Sequence, residues 1–459
     1  MTQHPPGKPA PPTIPENRAW KALGALSVGL FLTLLDQSLV AVALPRIRED
    51  LGASINQAVW VSAIYLLTFA VPLLITGRLG DRFGQRNVYL AGMTLFTLAA
   101  LACAFAPTIE LLILARAVQG LGGSLLNPQP LSIIHRIFAH HRRGAATGVW
   151  SAVASSAGLF GPVVGGVLVG VVSWRAVFFV YVPLGVISLV MVARYVPRLP
   201  TGTSRIDYLS GAVSLIAVLG IVVALQQGPE LGYGPLIWAM LAVGLAALAL
   251  FIWMQTRSTA PLMPLRLFHT HNFSRGAFAV FTLGFTVYSV NLPIMLYLQS
   301  AQGLSPETAG LMLVPMGILS VLMSPVIGRL TDRVAPGMIS RIGFTAMLSA
   351  MALFGGLMVA DASPLMLLVP VVLFGVANAM CWAPNSTIAL RDVPQDLVGS
   401  ASGVYNTSRQ VGAVVGAATL GAAMQIAAHQ VSFGAAMGIA ILLTLVPLAA
   451  GLAAVSSFR

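Results

Sequence analysis

The sequence predicts an all-α integral membrane protein with fourteen transmembrane helices. Of the 459 residues, 57% are hydrophobic and 8% are charged, whereas a typical soluble domain carries about 25% charged residues. Crossing the hydrocarbon core of a bilayer takes about 20 apolar helical residues. Runs of that kind lie at 22–45, 57–77, 88–106, 109–133, 144–171, 174–195, 208–227, 235–255, 273–300, 307–330, 339–360, 363–390, 399–426 and 432–455.

The basic residues are distributed unevenly between the two ends of these runs. If both chain ends lie in the cytoplasm, 20 of the 25 Lys and Arg residues fall on the cytoplasmic side, 3 on the outside and 2 within spans. Cytoplasmic loops of membrane proteins carry an excess of Lys and Arg. The distribution therefore supports both the number of spans and an orientation with both ends cytoplasmic.

An internal repeat divides the chain into parts. The segment 77–82, GRLGDR, recurs as 328–333, GRLTDR, with five of six residues identical. Each copy follows the second span of a six-span block, and parallel repeats of this kind are typical of transporters. We therefore expect a disordered cytoplasmic tail at 1–21, a six-helix bundle at 22–195, a two-helix insert at 196–260, a second six-helix bundle at 261–455 and a short cytoplasmic tail at 456–459.

Several other classes of protein are disfavoured. The net charge of +12 comes from short basic clusters between apolar runs, and not from a basic helix or groove that would bind nucleic acid. The His140-His141-Arg142-Arg143 tract is interpreted as a basic loop near lipid headgroups and not as a metal site. The sequence contains no phosphate-binding GxxxxGK[ST] motif, no metal-ligand spacing and no catalytic triad pattern, so neither an enzyme nor a bound cofactor is expected.

Sequence motifs occur in a fixed order along the chain. They are residues 35–45, Trp60-Val61 with Tyr65, residues 77–86 (GRLGDRFGQR), Arg116 with Gln119-Gly120 and Gly122-Gly123, the set Gly158, Gly161, Pro162, Gly165 and Gly166, and Asn406 with Ser408, Arg409, Gln410 and Gly412. In this order they resemble the major facilitator superfamily, specifically its fourteen-span drug:proton antiporter branch (QacA/EmrB-like). One departure is Tyr181, which stands where the family's F-x-x-N-V-P pattern has asparagine.

The resemblance implies a monomeric transporter of the bacterial inner membrane that exports small lipophilic drugs, dyes or antibiotics in exchange for protons, without a cofactor. Two alternatives remain open at this stage. The protein could instead export one endogenous metabolite, lipid or siderophore, or it could be a membrane sensor that transports nothing. Acidic residues are scarce within the spans, which favours neutral or weakly charged cargo over dications.

Asp36 and Arg116 are the residues that we predict to couple transport to protons. Asp36 is the only carboxylate placed deep within a span, and a charge there costs about 2.5–3.5 kcal/mol on insertion scales. Because the neutral acid costs less, such an Asp suits a proton carrier. Arg116 cannot lose its proton, and in the manner of the family it would favour proton release from a nearby acid. The alternatives are purely structural roles in helix packing for Asp36 and Arg116.

Further predictions rest on the other motifs. Gly77, Asp81 and Arg82, with Asp332 and Arg333 in the repeat, are predicted to form a gating latch, unless their charges only fix topology. Ala157, Gly161 and Gly165 repeat every four residues in span 5, which predicts close helix packing, with Pro162 bending the helix. The resemblance implies that this face lies between the two bundles and that the set from Gly158 to Gly166 marks an antiporter, unless its role is packing alone. In span 13, Asn406, Arg409 and Gln410 are assigned to gating or packing. Aromatic candidates for lining a cavity are Tyr65, Trp150, Phe285, Tyr288, Tyr297, Trp382 and Tyr405.

Overall fold

The computed structural model describes residues 14–139, 142–201, 207–258, 261–331, 334–394 and 398–458. This part of the chain consists of helices joined by short turns and contains no strand. The helices of the first block are α1 (Glu16–Asp50), α2 (Ile55–Ala70), α3 (Leu73–Phe83), α4 (Gln85–Ala104), α5 (Ile109–Leu126), α6 (Gln129–Ile137), α7 (Arg143–Val167), α8 (Trp174–Phe179) and α9 (Tyr181–Tyr195). Within this block α1 packs on α7 and α9, and α5 packs on α2 and α4.

The remaining helices form a hairpin and a second block. The hairpin consists of α10 (Tyr208–Gln227) and α11 (Pro235–Arg257). The second block contains α12 (His271–Ser289), α13 (Asn291–Leu296), α14 (Pro306–Met312), α15 (Val314–Thr331), α16 (Pro336–Val359), α17 (Leu368–Arg391), α18 (Val398–Ala428), α19 (Phe433–Leu443) and α20 (Leu445–Ser456). Within it α12 packs on α18 and α20, and α16 packs on α17 and α19.

Proline residues account for the division of several predicted spans into two helices. In six pairs the second helix begins after a break of only one or two residues: α2–α3, α5–α6, α8–α9, α12–α13, α14–α15 and α19–α20. A proline lies two to four residues after the end of the first helix of each pair, where its missing N–H and its ring interrupt the hydrogen-bond ladder. These residues are Pro72, Pro128, Pro183, Pro293, Pro315 and Pro447.

Twelve helices of the described residues are long and apolar enough to cross a membrane, judged by length and composition. Two further apolar helices, Ile55–Ala70 and Phe160–Val172, are shorter. They coincide with the second and fifth predicted spans. In the second span α2 ends two residues before Pro72, and in the fifth span the side-chain surroundings of α7 are described only in part. The protein is therefore a multi-pass membrane protein with about twelve spans, and the predicted count of fourteen is not confirmed.

Contacts between the two blocks concentrate at the end of the molecule where α1 ends at Asp50 and α18 ends at Ala428, which we call the distal end. There the Gln299 side-chain amide donates to the carbonyl oxygen of Val42 at 3.0 Å. In addition, α7 packs closely against α14. The two blocks therefore meet tightly at the distal end.

The hairpin joins this contact through the end of α10. The amide of Asn56 donates to the carbonyl oxygen of Gln226 at 2.9 Å and to the side chain of Gln425 at 3.2 Å. The indole of Trp60 donates to the Gln227 side chain at 2.9 Å. Asn56 is buried, so one side chain connects the first block, the hairpin and the second block where water does not compete.

Replacing Asn56 with leucine is expected to destabilise the folded protein by about 1–3 kcal/mol, because buried acceptors on α10 and α18 lose their donor. Denaturant unfolding of the purified protein would measure the loss. The matched control is Asn87→Leu, since the amide of Asn87 also donates to a backbone carbonyl, that of Phe83 at 3.1 Å, but is exposed. Equal free energies of unfolding for the two variants would show that the hydrogen bonds of Asn56 do not stabilise the folded protein more than an exposed hydrogen bond does.

Candidate functional site

A buried ion pair lies inside the first block. Nη1 of Arg116, on α5, is 2.7 Å from Oδ1 of Asp36, on α1. The side chains are 1% and 0% exposed, respectively. The sequence placed both residues within spans but did not predict their direct contact, because the rotation of α1 relative to α5 cannot be read from either helix alone.

Further contacts fix the position of the Arg116 guanidinium. Its Nε donates to the carbonyl oxygen of Val61 at 3.0 Å, and its Nη1 donates to Oε1 of Gln119 at 2.7 Å. Its Cζ lies 4.2 Å from the centre of the Tyr65 ring and 5.8 Å from that of Phe178. These groups stabilise a cation inside the protein by hydrogen bonds and by cation–π attraction.

The Asp36 carboxyl is less completely satisfied than its partner. Its Oδ1 is also 3.5 Å from the Gln119 amide, whereas its Oδ2 makes no regular hydrogen bond with any described residue. The buried hydroxyl of Tyr181 lies close enough to interact with this carboxyl, although outside regular hydrogen-bond geometry. A buried carboxyl with one free oxygen has a position at which a proton can be added.

Two residues of this site, Gln119 and Tyr181, had no role assigned from sequence. Gln119 follows Arg116 by three positions, which places the two side chains on one face of a helix, so its contact could have been anticipated. The departure from the family pattern at Tyr181 was visible in the sequence. That this phenol faces Asp36 follows only from the packing of α9 on α1.

A small internal cavity adjoins the ion pair. Its volume is about 30 Å³, which is room for one or two water molecules. Residues of both blocks line it, among them Gln37, Tyr65, Arg116, Tyr288, Ser289 and Asn291. The hydroxyl of Tyr65 and Oε1 of Gln37 have no hydrogen-bond partner among the described residues. Water in this cavity would therefore touch both the guanidinium and unpaired polar atoms.

The aromatic candidates divide into those that line this cavity and those that do not. Tyr65 and Tyr288 line it. Tyr297 and Tyr405 are buried elsewhere, the first donating to the carbonyl oxygen of Ala362 at 3.1 Å and the second accepting from Asn385 at 2.7 Å. The remaining candidates are the buried Phe285 and the half-buried Trp150 and Trp382, none of which lines the cavity.

The span 13 residues lie on α18 with different surroundings. The Asn406 amide donates to the Ser402 carbonyl oxygen of its own helix at 3.0 Å. Gln410 is buried, and its Oε1 has no partner among the described residues. The guanidinium carbon of Arg409 lies 5.9 Å from the Trp382 ring centre. The Asn406 side chain is therefore bound to its own helix, whereas the Arg409 side chain points toward α17.

The fifth-span glycines face two different neighbours, which corrects the predicted packing face. Gly161 and Gly165 pack against Ser38 and Val42 of α1, within the first block. Gly166 instead lies against the backbone of Pro306 on α14, in the second block, where a Cβ would come within 2.9 Å of the Pro306 carbonyl oxygen. The carbonyl of Pro162 similarly faces Gly310, and Gly158 belongs to the positions of α7 whose surroundings lie outside the described residues.

The predicted latch is only partly described. Gly77 does not bring helices into close approach, because a Cβ there would meet nothing nearer than the Pro128 side chain at 3.9 Å; the close approach occurs at Gly80, against Gln129. Arg82 is exposed and stacks on the neighbouring Phe83 ring at 5.5 Å. The Asp81 side chain and both Asp332 and Arg333 lie outside the described residues, so the latch stays a prediction.

Comparison with known proteins identifies the family. The model of the Major Facilitator Superfamily matches residues 26–417. The chain belongs to the major facilitator superfamily. It is 34% identical over 406 residues to multidrug resistance protein Stp of Mycobacterium tuberculosis, covering 87% of this chain and 75% of that protein. It is 35% identical over 408 residues to the methylenomycin A resistance protein of Streptomyces coelicolor, covering 86% and 84% of the two chains.

A solved structure supports the same fold. The crystal structure of a D-xylose–proton symporter superposes with a TM-score of 0.67 at 15% identity, covering 94% of this chain and 97% of the symporter. At that identity the likeness concerns the fold alone. This member of the major facilitator superfamily is thus a multi-pass transporter with drug-resistance relatives.

Proposed function

We propose that this major facilitator protein exports small lipophilic compounds, such as drugs, dyes or antibiotics, in exchange for protons. The observation that carries the proposal is the buried Asp36–Arg116 pair beside an internal cavity between the two blocks. Asp36 can be neutral or charged, whereas Arg116 stays charged. Adding a proton to Asp36 ends the ion pair. The guanidinium then keeps its contacts with Val61, Gln119 and the Tyr65 ring, and water in the cavity can solvate it.

Alternating access would determine the direction in which the proton on Asp36 crosses the membrane. The excess of Lys and Arg supports an orientation with both chain ends in the cytoplasm, in which the distal end faces outward. Close contacts between the blocks at the distal end then correspond to a state closed toward the outside. In that state a proton bound from outside would leave toward the cytoplasm, and the membrane potential adds about 2.3 kcal/mol per charge per 100 mV to its entry.

The proposed transporter has fourteen spans and belongs to the drug:proton antiporter branch of the superfamily. Two features support fourteen beyond the twelve long helices. The apolar α2 is followed after a two-residue break by α3, which together reach from Ile55 to Phe83, and α7 is a continuous helix of 25 residues. The hairpin α10–α11 then adds two spans to two blocks of six. We propose that this protein acts as a monomer in a bacterial inner membrane, powered by the proton-motive force alone.

Dye transport in everted membrane vesicles tests the proposal. Wild-type protein is expected to accumulate dyes when an acid interior is imposed and to release them when an uncoupler removes the pH gradient. Asp36→Asn is expected to reduce gradient-driven transport at least tenfold, since the carrier can no longer lose a proton. Glu230→Gln, at an exposed position, is the matched control. Transport that survives both the uncoupler and Asp36→Asn would rule out proton antiport through this residue.

A further inference from the structure

Arg409 is a second cation within the membrane-spanning part, and no carboxylate of the described residues forms an ion pair with it. It lies in α18, eleven residues after the first residue of that helix, or about 16 Å along its axis at 1.5 Å per residue. No described carboxylate forms an ion pair with it, and its buried Nε makes no hydrogen bond within the described part of the chain. It thus differs from Arg116, whose charge is balanced by Asp36.

An aromatic surface lies beside Arg409. The Trp382 ring centre is 5.9 Å from the guanidinium carbon and 6.3 Å from the Tyr288 ring centre. The Trp382 indole is held by a hydrogen bond to Oδ1 of Asn378 at 2.8 Å. All three side chains are half-buried rather than enclosed. The two rings, tilted by 49° to each other, therefore form an angled, partly exposed wall next to the cation.

Tyr288 connects this group to the cavity beside the ion pair. It lines the cavity together with Arg116, and its ring centre lies 6.3 Å from that of Trp382. A ligand on the Trp382–Tyr288 wall would thus lie next to the cavity that adjoins the proposed proton carrier. We call Arg409, Trp382 and Tyr288 the Arg409 site.

An unpaired guanidinium at this depth is costly. On insertion scales such a charge costs about 2.5–3.5 kcal/mol, and arginine cannot relieve the cost by losing its proton. Attraction to the Trp382 ring offsets only part of it. A bound oxyanion would offset more, because a planar guanidinium donates two parallel hydrogen bonds to a carboxylate.

We propose that the Arg409 site binds the anionic group of flat, aromatic monoanions such as aromatic carboxylates, and that these are a substrate class of the transporter. The inference rests on the proposed function. The ring system stacks on one ring of the Trp382–Tyr288 wall and contacts the other, and the oxyanion pairs with Arg409. Since the Asp36–Arg116 pair is neutral as a unit, Arg409 leaves one net positive charge in this region, which attracts anions and repels cations.

Export of such anions is also favoured energetically. With the cell interior negative, an anion gains about 2.3 kcal/mol per charge per 100 mV on leaving. The scarcity of acidic residues in the spans fits the same class of cargo, because a site for cations would need a free carboxylate.

Binding of a matched pair of probes to purified full-length protein tests the inference without any proton gradient. The probes are 2-naphthoate and its uncharged amide, 2-naphthamide, and titration calorimetry in detergent measures both dissociation constants. Wild type is expected to bind the carboxylate at least tenfold more tightly than the amide, as a charge-assisted hydrogen bond requires. Arg409→Gln is expected to abolish this preference, and Trp382→Ala to weaken both probes alike. Arg341→Gln, an exposed arginine, is the control.

A second variant at Arg409 separates a lost contact from a failure to fold. If Arg409→Gln fails to fold, Arg409→Lys serves instead: it keeps the charge but loses the two-point contact, so the preference should persist with carboxylate binding several-fold weaker. Equal affinity of the two probes for wild type, no binding of either, or a carboxylate affinity unchanged in both Arg409 variants would overturn the inference. Carboxylate preference without proton-coupled transport would overturn only the antiport mechanism, and antiport without this preference would overturn only the Arg409 site.

Discussion

Asp36→Asn alone is expected to lower the free energy of unfolding by about 3–5 kcal/mol, because it leaves the Arg116 guanidinium buried without a counter-charge. The double variant Asp36→Asn with Arg116→Gln is expected to recover most of that loss, since no charge then remains in the site. Gradient-driven dye transport should nevertheless stay abolished in the double variant. Denaturant unfolding in detergent and transport in everted vesicles measure the two properties separately.

An exposed ion pair of similar length provides the control for this experiment. Nη1 of Arg175 is 2.8 Å from Oδ2 of Asp50, with side chains 41% and 51% exposed. Asp50→Asn should cost about 1 kcal/mol or less, because water screens a surface pair. If Asp36→Asn is no more destabilising than Asp50→Asn, the buried pair is not a stabilising counter-charge. If the double variant transports normally, Asp36 is not the proton carrier.

Gly310→Ala is expected to have the second largest effect, through the contact between the two blocks. A Cβ at Gly310 would overlap the carbonyl oxygen of Pro162, and both clashing groups lie on or next to backbone that cannot rotate away. Overpacking typically costs about 1–3 kcal/mol. In the proposed alternating-access mechanism these residues separate when the distal end opens, so the equilibrium should shift by roughly 5–150-fold toward the state that is open there.

Distances between spin labels across the distal end would measure this shift. Pro107→Cys and His429→Cys place labels on exposed positions of the two blocks, and the native Cys103 and Cys381 are both buried. Gly310→Ala should enrich the longer distance and reduce the transport rate. Gly356→Ala is the control, since a Cβ there meets nothing within 4 Å. An unchanged distance distribution in Gly310→Ala would show that the contact between α7 and α14 does not hold the distal end closed.

Much of the helical framework was predictable from composition. The long apolar runs became helices, because a chain in lipid must satisfy its backbone hydrogen bonds within each segment. The interruptions near Pro72, Pro293 and Pro447 follow from the missing N–H of proline. The number of spans was harder to predict. The second apolar run is a helix interrupted near Pro72, and the fifth is a helix whose side chains are described only in part.

The candidate site was predictable in its residues but not in its contacts. Asp36 and Arg116 were identified because charged residues within spans are rare and costly. Their pairing and the position of Tyr181 beside Asp36 depend on how α1, α5 and α9 are rotated and packed. The same holds for the fifth span, where the spacing of Gly161 and Gly165 predicted close packing, but the expected partner in the other bundle was wrong for these two residues, which pack on α1 of the same block.

The amino-acid sequence alone was enough to indicate that this protein lies in a membrane, that the segment 77–82 recurs at 328–333, and that a few ionisable residues lie within its spans. Composition, spacing and repetition are local properties, so they can be read along the chain. The packing of the helices was needed to show that Asp36 meets Arg116, that Gly166 and Gly310 face the opposite block, and that Arg409 lies beside aromatic rings without a carboxylate partner among the described residues. Those facts depend on the relative rotation of helices distant in sequence, which no single helix specifies.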